Sequence, residues 1–419
     1  MLDVNFIREN QDLVKKGAEN KGFNPKVIDE VLRLDEKRRL LIQEVEEIRA
    51  ERNQVNEKLK GGRDQKLIDK SIELKGKLKD IEPELKRKEE DFYNLMLQVP
   101  NVAADDVPVG KDERGNKVVR KEGDKKQFSF KPKEHFELAE DLDLYDAKRA
   151  VRIAGTRSYF LKNELVMLEQ AVLKFALDLI SNEGFTPMTV PWMVNKEALI
   201  GTGYFPWGEE DHYQTQDGQR LIGTAEVSLT AYHKDELLSY KDLPIKLCGI
   251  SPCFRREVGS YGKDTKGFFR LHQFNKVEMV VLSEADEKDS VEWHEKMLGF
   301  SEKLLGELEL PYQVVLMCTG DMGAGQRKKY DIETWFPGQD KYRETHSDSY
   351  FLDFQARRLN MRYKDKDGET KYVYTLNNTV AATPRLLAAI LENHQQKDGS
   401  ISIPQGLHKY LGFTNITRK

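Results

Sequence analysis

Two runs of apolar residues, spaced alternately by three and four positions, constrain this chain more than any other feature. From Val27 to Lys60 the run is Val31, Leu34, Leu41, Val45, Ile48, Val55 and Leu59, with Arg38 and Arg52 as polar interruptions. The second run is Leu67, Leu74, Leu78, Ile81, Leu85, Phe92 and Leu95, interrupted at Ser71 and Lys88. Such spacing is a coiled-coil seam, and the turn Lys60-Gly61-Gly62-Arg63-Asp64 between the two runs predicts an antiparallel helical hairpin. At ~1.5 Å per residue each limb is roughly 50 Å long, too long for a globular domain to cover, so the expectation is a projecting arm over 27–97. Pro83 inside the second limb is expected to kink it or loosen a turn. Around the tip Lys58, Lys60, Arg63, Lys66, Lys70, Lys75, Lys77 and Lys79 outnumber the acids. Charge on a coiled coil is usually a solvated face, but a projecting basic rod can also grip a phosphate backbone.

The rest of the chain changes character. Residues 98–133 carry Pro100, Pro108, Gly110, Gly115, Gly123 and Pro132 and no sustained period, which divides the chain into an N-terminal domain (1–100), a linker (101–133) and a globular domain (134–419). In the last, Leu165, Leu168, Val172, Phe175, Leu179 and Ile180 mark an amphipathic helix stopped at Gly184. Further helices are expected over 284–308 and near 384–396, with β-leaning runs between them and a hairpin signal at Asp365-Lys366-Asp367-Gly368. The fold class is α+β, an antiparallel sheet flanked by helices.

One hairpin does not read as core. In 251–278, two β-leaning segments flank a loop rich in Gly, Lys and Asp; the first carries Arg255 and Glu257, and alternation places Arg270, His272, Phe274, Lys276 and Glu278 on one face of the second. A face of guanidinium, carboxylate and one aromatic suits a phosphorylated, ring-bearing ligand; a solvated hairpin with surface ion pairs is the other reading. Several chemistries are not supported. No GxxxxGK[ST] loop, HExxH or GxSxG is present, and Gly320-Asp-Met-Gly323-Ala-Gly325 lacks the dinucleotide-binding spacing. Cys248, Cys253 and Cys318 lack CxxC spacing, so they are expected as buried or neutral thiols, with no zinc site and no disulfide framework. No apolar run approaches the ~18 residues of a membrane span and the first residues lack a secretory apolar centre, so a cytoplasmic protein is expected. With 39% apolar and 33% charged residues and a formal charge of -4, any affinity for nucleic acid must come from a local basic stripe.

The stretch FRREVGSYGKDTKGFFRLHQFNKVE resembles the motif 2 hairpin of class II aminoacyl-tRNA synthetases in the form carried by seryl-tRNA synthetases of bacterial type. MLDVNFIREN, PNVAADDVPVGKDE, GFTPMTVPWMVNKEALIGTGYFP, LIGTAE, ETHSDSYFLDFQARRLN and LNNTVAATPRLLAAILENHQ resemble that family in the same order, over essentially the whole chain. The resemblance implies a role for each matching residue. Arg255 would bridge the amino acid carboxylate and the α-phosphate, and Arg270 and Arg385 would hold the γ-phosphate; these three are the catalytic candidates. Phe274 would stack on adenine and Glu257 would contact ATP. Glu344 and Ser347 would hold Mg²⁺ brought with ATP. Serine would be held by Thr224, Glu226, Arg255, Glu278 and Thr379. Lys58, Lys60, Arg63, Lys66 and Lys70 on the arm would contact the long variable arm of tRNA(Ser).

Three positions depart from the commoner bacterial pattern of that family: His346 for Ser, Asp348 for Cys and Thr379 for Ser. Asp348 is expected to face solvent or to add charge near the metal. Thr383-Pro384 is expected as a helix cap followed by Pro at the first position, with Pro384 stiffening the entry. The loop between Gly259 and Gly267 is assigned to the tRNA end or to closure over ATP, while His272 and Lys276 are left as structural. The implied reaction activates L-serine with ATP to seryl-adenylate and transfers it to the 3′ end of tRNA by a homodimer, with Pro191 at the motif 1 position. Two alternatives stand beside it: a catalytically inactive tRNA-binding relative, and an adenylating enzyme that serves a carrier protein.

Overall fold

The structure is a computed structural model that describes residues 1–418 except 260, 261 and 263–265. It divides into two compact units, Met1–Val102 and Ala103–Lys419. Among the described residues no helix is long and apolar enough to cross a membrane.

The first unit is dominated by two antiparallel helices, α1 (Lys26–Leu59) and α2 (Gln65–Met96). The seam expected from the sequence is the packed face: none of its apolar or interrupting positions, from Val31 to Leu59 and from Leu67 to Leu95, is exposed. The polar interruptions carry specific bonds. Ser71 Oγ donates to Asn56 Oδ1 (2.9 Å), while Arg38 pairs with buried Asp35 (2.9 Å) and lies over the Phe92 ring at 4.4 Å. Asp35 is also held by Arg8 (2.8 Å), so a carboxylate buried at the base of the hairpin has two guanidinium partners rather than none. Asp64 starts α2 by accepting from the amides of Lys66 and Leu67. Pro83 does not end α2, which runs through it as one helix.

The second unit is built on one eight-stranded sheet: β1 (Lys117–Glu122), β2 (Thr186–Thr189), β3 (Ile245–Phe254), β4 (Gln273–Ser283), β5 (Tyr312–Leu316), β6 (Lys328–Phe336), β7 (Lys341–Leu352) and β8 (Tyr374–Ala382). The order across the sheet is β1-β5-β6-β7-β8-β4-β3-β2, antiparallel except for the β2–β3 pair. Three helices cover it: α3 (Glu164–Asn182), α4 (Glu287–Glu307) and α5 (Thr383–His394). Leu165, Leu168, Val172, Phe175, Leu179 and Ile180 of α3 all enter the main core. Gly184, at φ +84, takes the left-handed turn that follows the helix. The Asp365–Gly368 signal is a hairpin between short strands 362–364 and 370–372.

Three expectations are corrected. The segment expected as a linker is integral to the second unit, because 117–122 pair with β5 as the edge of the sheet. Its Lys- and Arg-rich sequence is the composition of an edge strand that discourages further pairing, and it reads as polar loop when taken alone. Thr383 is the first residue of α5 rather than its cap, and its hydroxyl donates its one proton between Glu169 Oε1 (2.8 Å) and the Asn275 carbonyl (3.1 Å). Finally, the strands of the 251–278 hairpin are shorter at the loop than alternation suggested. β3 ends at Phe254 and β4 begins at Gln273, so Arg255, Glu257, Arg270 and His272 stand in the loop stems.

Candidate active site

Those stems are fixed to each other. The Arg255 amide donates to the His272 carbonyl (3.0 Å), the His272 ring Nδ1 meets the Arg255 carbonyl (2.9 Å), and Arg270 pairs with Glu257 at 2.8 Å. His272 therefore holds the backbone of Arg255, in keeping with a structural role. The ion pair that joins the stems is Arg270–Glu257. Glu257 reaches it from a left-handed backbone, φ +58, a conformation costly for a non-glycine residue and found where geometry matters more than local stability. The loop between Gly259 and Gly267, assigned above to the tRNA end or to ATP closure, contains residues 260, 261 and 263–265, which lie outside the described residues.

Strands β4, β7 and β8, the stems and the start of α5 contribute to an open cleft. Glu226, Arg255, Glu257, Arg270, Phe274, Glu278, Glu344, Ser347, Thr379 and Arg385 all line it. Thr224 does not. It is buried just behind the wall, where its hydroxyl accepts from the Glu226 amide (3.2 Å) and so sets the backbone of a residue that does line the cleft.

The two ends of the cleft differ in chemistry. At one end lie buried carboxylates. Glu278 is 2% exposed and is paired with Lys276 Nζ at 2.6 Å, and Thr379 Oγ1 donates to the same oxygen, Oε2, at 3.3 Å. Glu226 accepts from the Tyr204 hydroxyl (2.7 Å) and from Gln355 Nε2 (3.0 Å). Burial, reinforced by the negative charge of Glu278, pushes the Glu226 carboxyl up to about 7. Lys276, expected as merely structural, is thus part of the cleft wall.

At the other end guanidinium groups converge. Arg255 lies over the Phe274 ring at 5.3 Å and donates from Nε to the Gly223 carbonyl (3.3 Å). Arg385 donates to the Glu344 carbonyl (2.9 Å), pairs with its carboxylate (3.0 Å) and lies over Phe269 at 4.8 Å. Burial acts to raise the Glu344 carboxyl, but Arg385, Lys329 and Arg255 outweigh it and hold the group at about 2. Its side chain nevertheless keeps 44% of its surface open toward the cleft, so an ionised carboxylate faces any incoming ligand. Below it Asp331, pushed up to about 7 mainly by burial against the opposing charge of Lys329, pairs with that lysine at 3.0 Å.

The departures from the commoner pattern also acquire places. His346 lines the cleft but is 1% exposed, with its ring between Thr345 Oγ1 (2.9 Å) and the Val380 carbonyl (3.1 Å). Burial lowers its pKa to about 4, so it is neutral near pH 7. Asp348 neither faces solvent nor lines the cleft, which corrects both expectations. It is 1% exposed and its carboxylate approaches His294 of α4 at 3.3 Å, while burial pushes its pKa well above the ordinary range. The cause is the pleat: Ser347 points into the cleft, so its neighbour points into the opposite layer. Tyr204, Phe269, Gln326 and Asn377 also line the cleft and were not found from sequence. Nothing in their local pattern separates them from ordinary core residues. The three cysteines are buried and free, as expected.

The raised Glu226 carboxyl predicts a pH dependence. Between the ordinary 4.5 and about 7 the folded state retains a proton that the unfolded chain has lost, so stability falls as pH rises through that window. Glu226→Gln is expected to remove about 3 kcal/mol of that fall, read as the difference between wild-type and variant denaturant midpoints at pH 5 and pH 8. Asp331 leaves a residual slope in both proteins. Equal slopes in the two would contradict the assignment.

On the first unit, the basic candidates differ in their freedom. Lys60 pairs with Glu57 (2.6 Å), and Lys70 with Glu51 (3.3 Å) and Glu73 (3.5 Å). Among the described residues, no carboxylate lies within ion-pair distance of Lys58, Arg63 or Lys66. These three exposed cations are therefore uncompensated by direct pairing.

Comparison with known proteins agrees with both units. Residues 1–103 match the seryl-tRNA synthetase N-terminal domain, and residues 211–394 match the tRNA synthetase class II core domain (G, H, P, S and T). A serine–tRNA ligase of Deinococcus radiodurans is 45% identical over 99% of each chain. The crystal structure of seryl-tRNA synthetase from Pyrococcus horikoshii complexed with ATP superimposes with a TM-score of 0.93 at 41% identity, covering 100% of both chains. The cytoplasmic serine–tRNA ligase of Naegleria fowleri in complex with AMP gives 0.89 at 32% identity. With matches of this extent in both units, the chain belongs to the seryl-tRNA synthetases, the serine–tRNA ligases of class II.

Proposed function

We propose that the cleft activates L-serine with ATP and passes the seryl group to the 3′ end of tRNA(Ser). The observation that carries this reading is the polarity of the cleft, with buried carboxylates and a hydroxyl at one end, Arg270 and Arg385 at the other, and Arg255 within electrostatic reach of both Tyr204 and Glu344. Glu278 and Thr379 receive the polar parts of serine, with Glu226 closing the pocket and Thr224 setting Glu226. Arg255, between the two ends, is placed for a bidentate hold on the serine carboxylate and the α-phosphate. Phe274, beneath Arg255, offers an aromatic face for adenine, and Glu257 supports that side while fixing Arg270. Arg270 and Arg385 hold the outer phosphates. That the Pyrococcus horikoshii relative is recorded with ATP supports a nucleotide as a substrate of this fold.

The chemistry requires no protein nucleophile. A serine carboxylate oxygen attacks the α-phosphorus in line, the bond to the bridging oxygen breaks, and pyrophosphate leaves with the electron pair. The 3′ hydroxyl of the tRNA then attacks the seryl carbonyl, and AMP departs. Because the carboxylate is ionised at neutral pH, catalysis consists of positioning and of stabilising phosphate charge with Arg255, Arg270 and Arg385. Glu344 and Ser347 fit Mg²⁺. The carboxylate is held ionised and open to the cleft, and a hydroxyl on the same strand adds a second hard oxygen. Among the described residues no cluster of three or more His, Cys, Asp or Glu could hold a metal by itself, consistent with a cation completed by nucleotide oxygens. When bound, Mg²⁺ would neutralise phosphate charge.

The N-terminal unit serves as the tRNA-binding domain. The free cations Lys58, Arg63 and Lys66, with Lys60 and Lys70, would follow the backbone of the long variable arm by shape and charge. The active form is a homodimer in the cytoplasm. An inactive tRNA-binding relative is disfavoured by the complete set of Arg255, Glu278, Glu344 and Arg385, and a carrier-protein ligase would not need the arm. Aminoacylation of bulk tRNA with each of the twenty amino acids tests the reading. Serine alone should be attached, and loss of attachment on chelation of Mg²⁺ should be reversed by adding it back. Attachment of another amino acid at a comparable rate would refute it.

A further inference from the structure

We infer that Lys266, Lys341 and Arg343 form a second anion site beside the cleft, which takes the pyrophosphate released by activation on its way to solvent. The inference rests on the proposed reaction, which makes pyrophosphate at the arginine end of the cleft. Lys341 and Arg343 are two residues apart on β7 and share one face of the strand, while Tyr342 between them packs on Trp335 at 5.1 Å. With Lys266, from the second stem of the 251–278 hairpin, they line a pocket separate from the cleft, and both lysines are exposed at its rim. Phe269 is a wall of the pocket and of the cleft alike. Arg343 lies over its ring at 3.9 Å, and Arg385 of the cleft lies over the same ring at 4.8 Å. A file of cations therefore continues from the cleft into the pocket.

The pocket is held in shape without a ligand. Its walls at 134–135 and 338–339 are tied together by the buried carboxylate of Glu392 on α5. That group accepts from the His135 amide (3.0 Å), the Gly338 amide (2.9 Å) and Gln339 Nε2 (3.2 Å), and the His135 ring Nδ1 lies at 2.9 Å. Gly338 permits the close approach, since a Cβ there would stand 2.5 Å from the Lys133 carbonyl oxygen. Arg343 is aimed by Gln339, whose Oε1 accepts from Nη1 at 2.7 Å. Little negative charge answers these cations: in the lining, Glu134 stands against Lys266, Lys341 and Arg343. Among the described residues no carboxylate lies within ion-pair distance of Lys266 or Lys341.

Three cations around one concavity suit a compact polyanion better than a single carboxylate, and a guanidinium fork matches phosphate oxygens. Pyrophosphate is the polyanion that the reaction sets free one aromatic ring away. In the cleft Arg270 and Arg385 would hold it, and a second cationic station outside competes with them for it and draws it off the adenylate. The same field reaches incoming phosphate groups, so its effect falls as salt screens the exposed lysines.

The test uses full-length protein whose cleft is filled with a non-hydrolysable ATP analogue, titrated with pyrophosphate in a calorimeter. Wild type should bind one further pyrophosphate per chain. The double variant Lys266→Ala, Lys341→Ala should weaken that binding by ~5-fold or more at low salt, while affinity for the ATP analogue changes by less than ~2-fold. Lys266→Arg with Lys341→Arg, which keeps both charges, should retain it. No pyrophosphate bound beside the analogue, or equal affinity in wild type and the alanine variant, would overturn the site. A variant that binds pyrophosphate normally but aminoacylates tRNA poorly would give the lysines to backbone phosphates of the tRNA and overturn it too. Failure of the wild-type protein to bind the ATP analogue at all would overturn the reading of the cleft, a result distinct from an empty pocket beside a filled cleft.

Discussion

Arg255→Ala is expected to reduce serine-dependent exchange of pyrophosphate into ATP by at least ~10³-fold, or about 4 kcal/mol of transition-state stabilisation. The size follows from its position. Arg255 is the one guanidinium placed between the carboxylate end and the phosphate end of the cleft, with its backbone pinned by His272 and its side chain seated on Phe274 and on the Gly223 carbonyl. Among the described residues, Arg270 and Arg385 also line the cleft and can share the outer phosphates. Arg255→Lys should recover little of the loss, because a single ammonium cannot make the planar, two-armed contact. Measured as kcat and KM for both substrates, the defect should fall mainly on kcat. A purely ground-state role would raise KM and leave kcat nearly intact, which would contradict the assignment.

The second large effect concerns the arm. Replacing residues 40–85 with a short glycine-rich turn should leave pyrophosphate exchange within ~2-fold of wild type and reduce tRNA aminoacylation by ~100-fold or more. The cleft and its supporting core lie entirely within Ala103–Lys419, so serine activation has no need of the distal hairpin. The lost affinity is the phosphate contact of the tip, and it should be salt-dependent. Full-length protein should lose charging efficiency steeply between ~50 and 200 mM salt, whereas the shortened protein should respond weakly. A triple substitution of Lys58, Arg63 and Lys66 by alanine should reproduce part of the loss without altering the helices. Normal aminoacylation by the shortened protein would refute a role for the arm.

The unequal legibility of the chain has physical causes. The arm could be read to the residue because a coiled-coil seam is a local property; polar interruptions such as Ser71 and Arg38 kept the register and found partners across it. The long helices were legible for the same reason. The cleft depended on resemblance, since its residues come from distant segments and local periodicity does not bring Glu226, Glu278, Glu344 and Arg385 together. Alternation also misjudged the 251–278 stems, where the ladder stops at Phe254 and Gln273.

Residues missed or left without a role share a feature. Asn377, Tyr204 and Lys276 acquire meaning only from cross-strand neighbours and long-range packing. The register that sets those neighbours shifts at irregularities between Ile332 and Glu333 and between Thr379 and Ala381. A shift of one residue exchanges the two faces of a strand. Asp348 shows the converse: a charged residue beside a site residue was expected near the metal or in solvent, and the pleat buries it on the far side of the sheet.

Pyrophosphate exchange measured with each of the twenty amino acids in turn tests the central claim most directly, because it isolates activation from tRNA binding. Exchange should depend on serine, with alanine, glycine and threonine each at least ~10²-fold less effective in kcat/KM. Exchange with no amino acid, or equal exchange with serine and alanine, would contradict the account of the cleft as a site built around the serine hydroxyl.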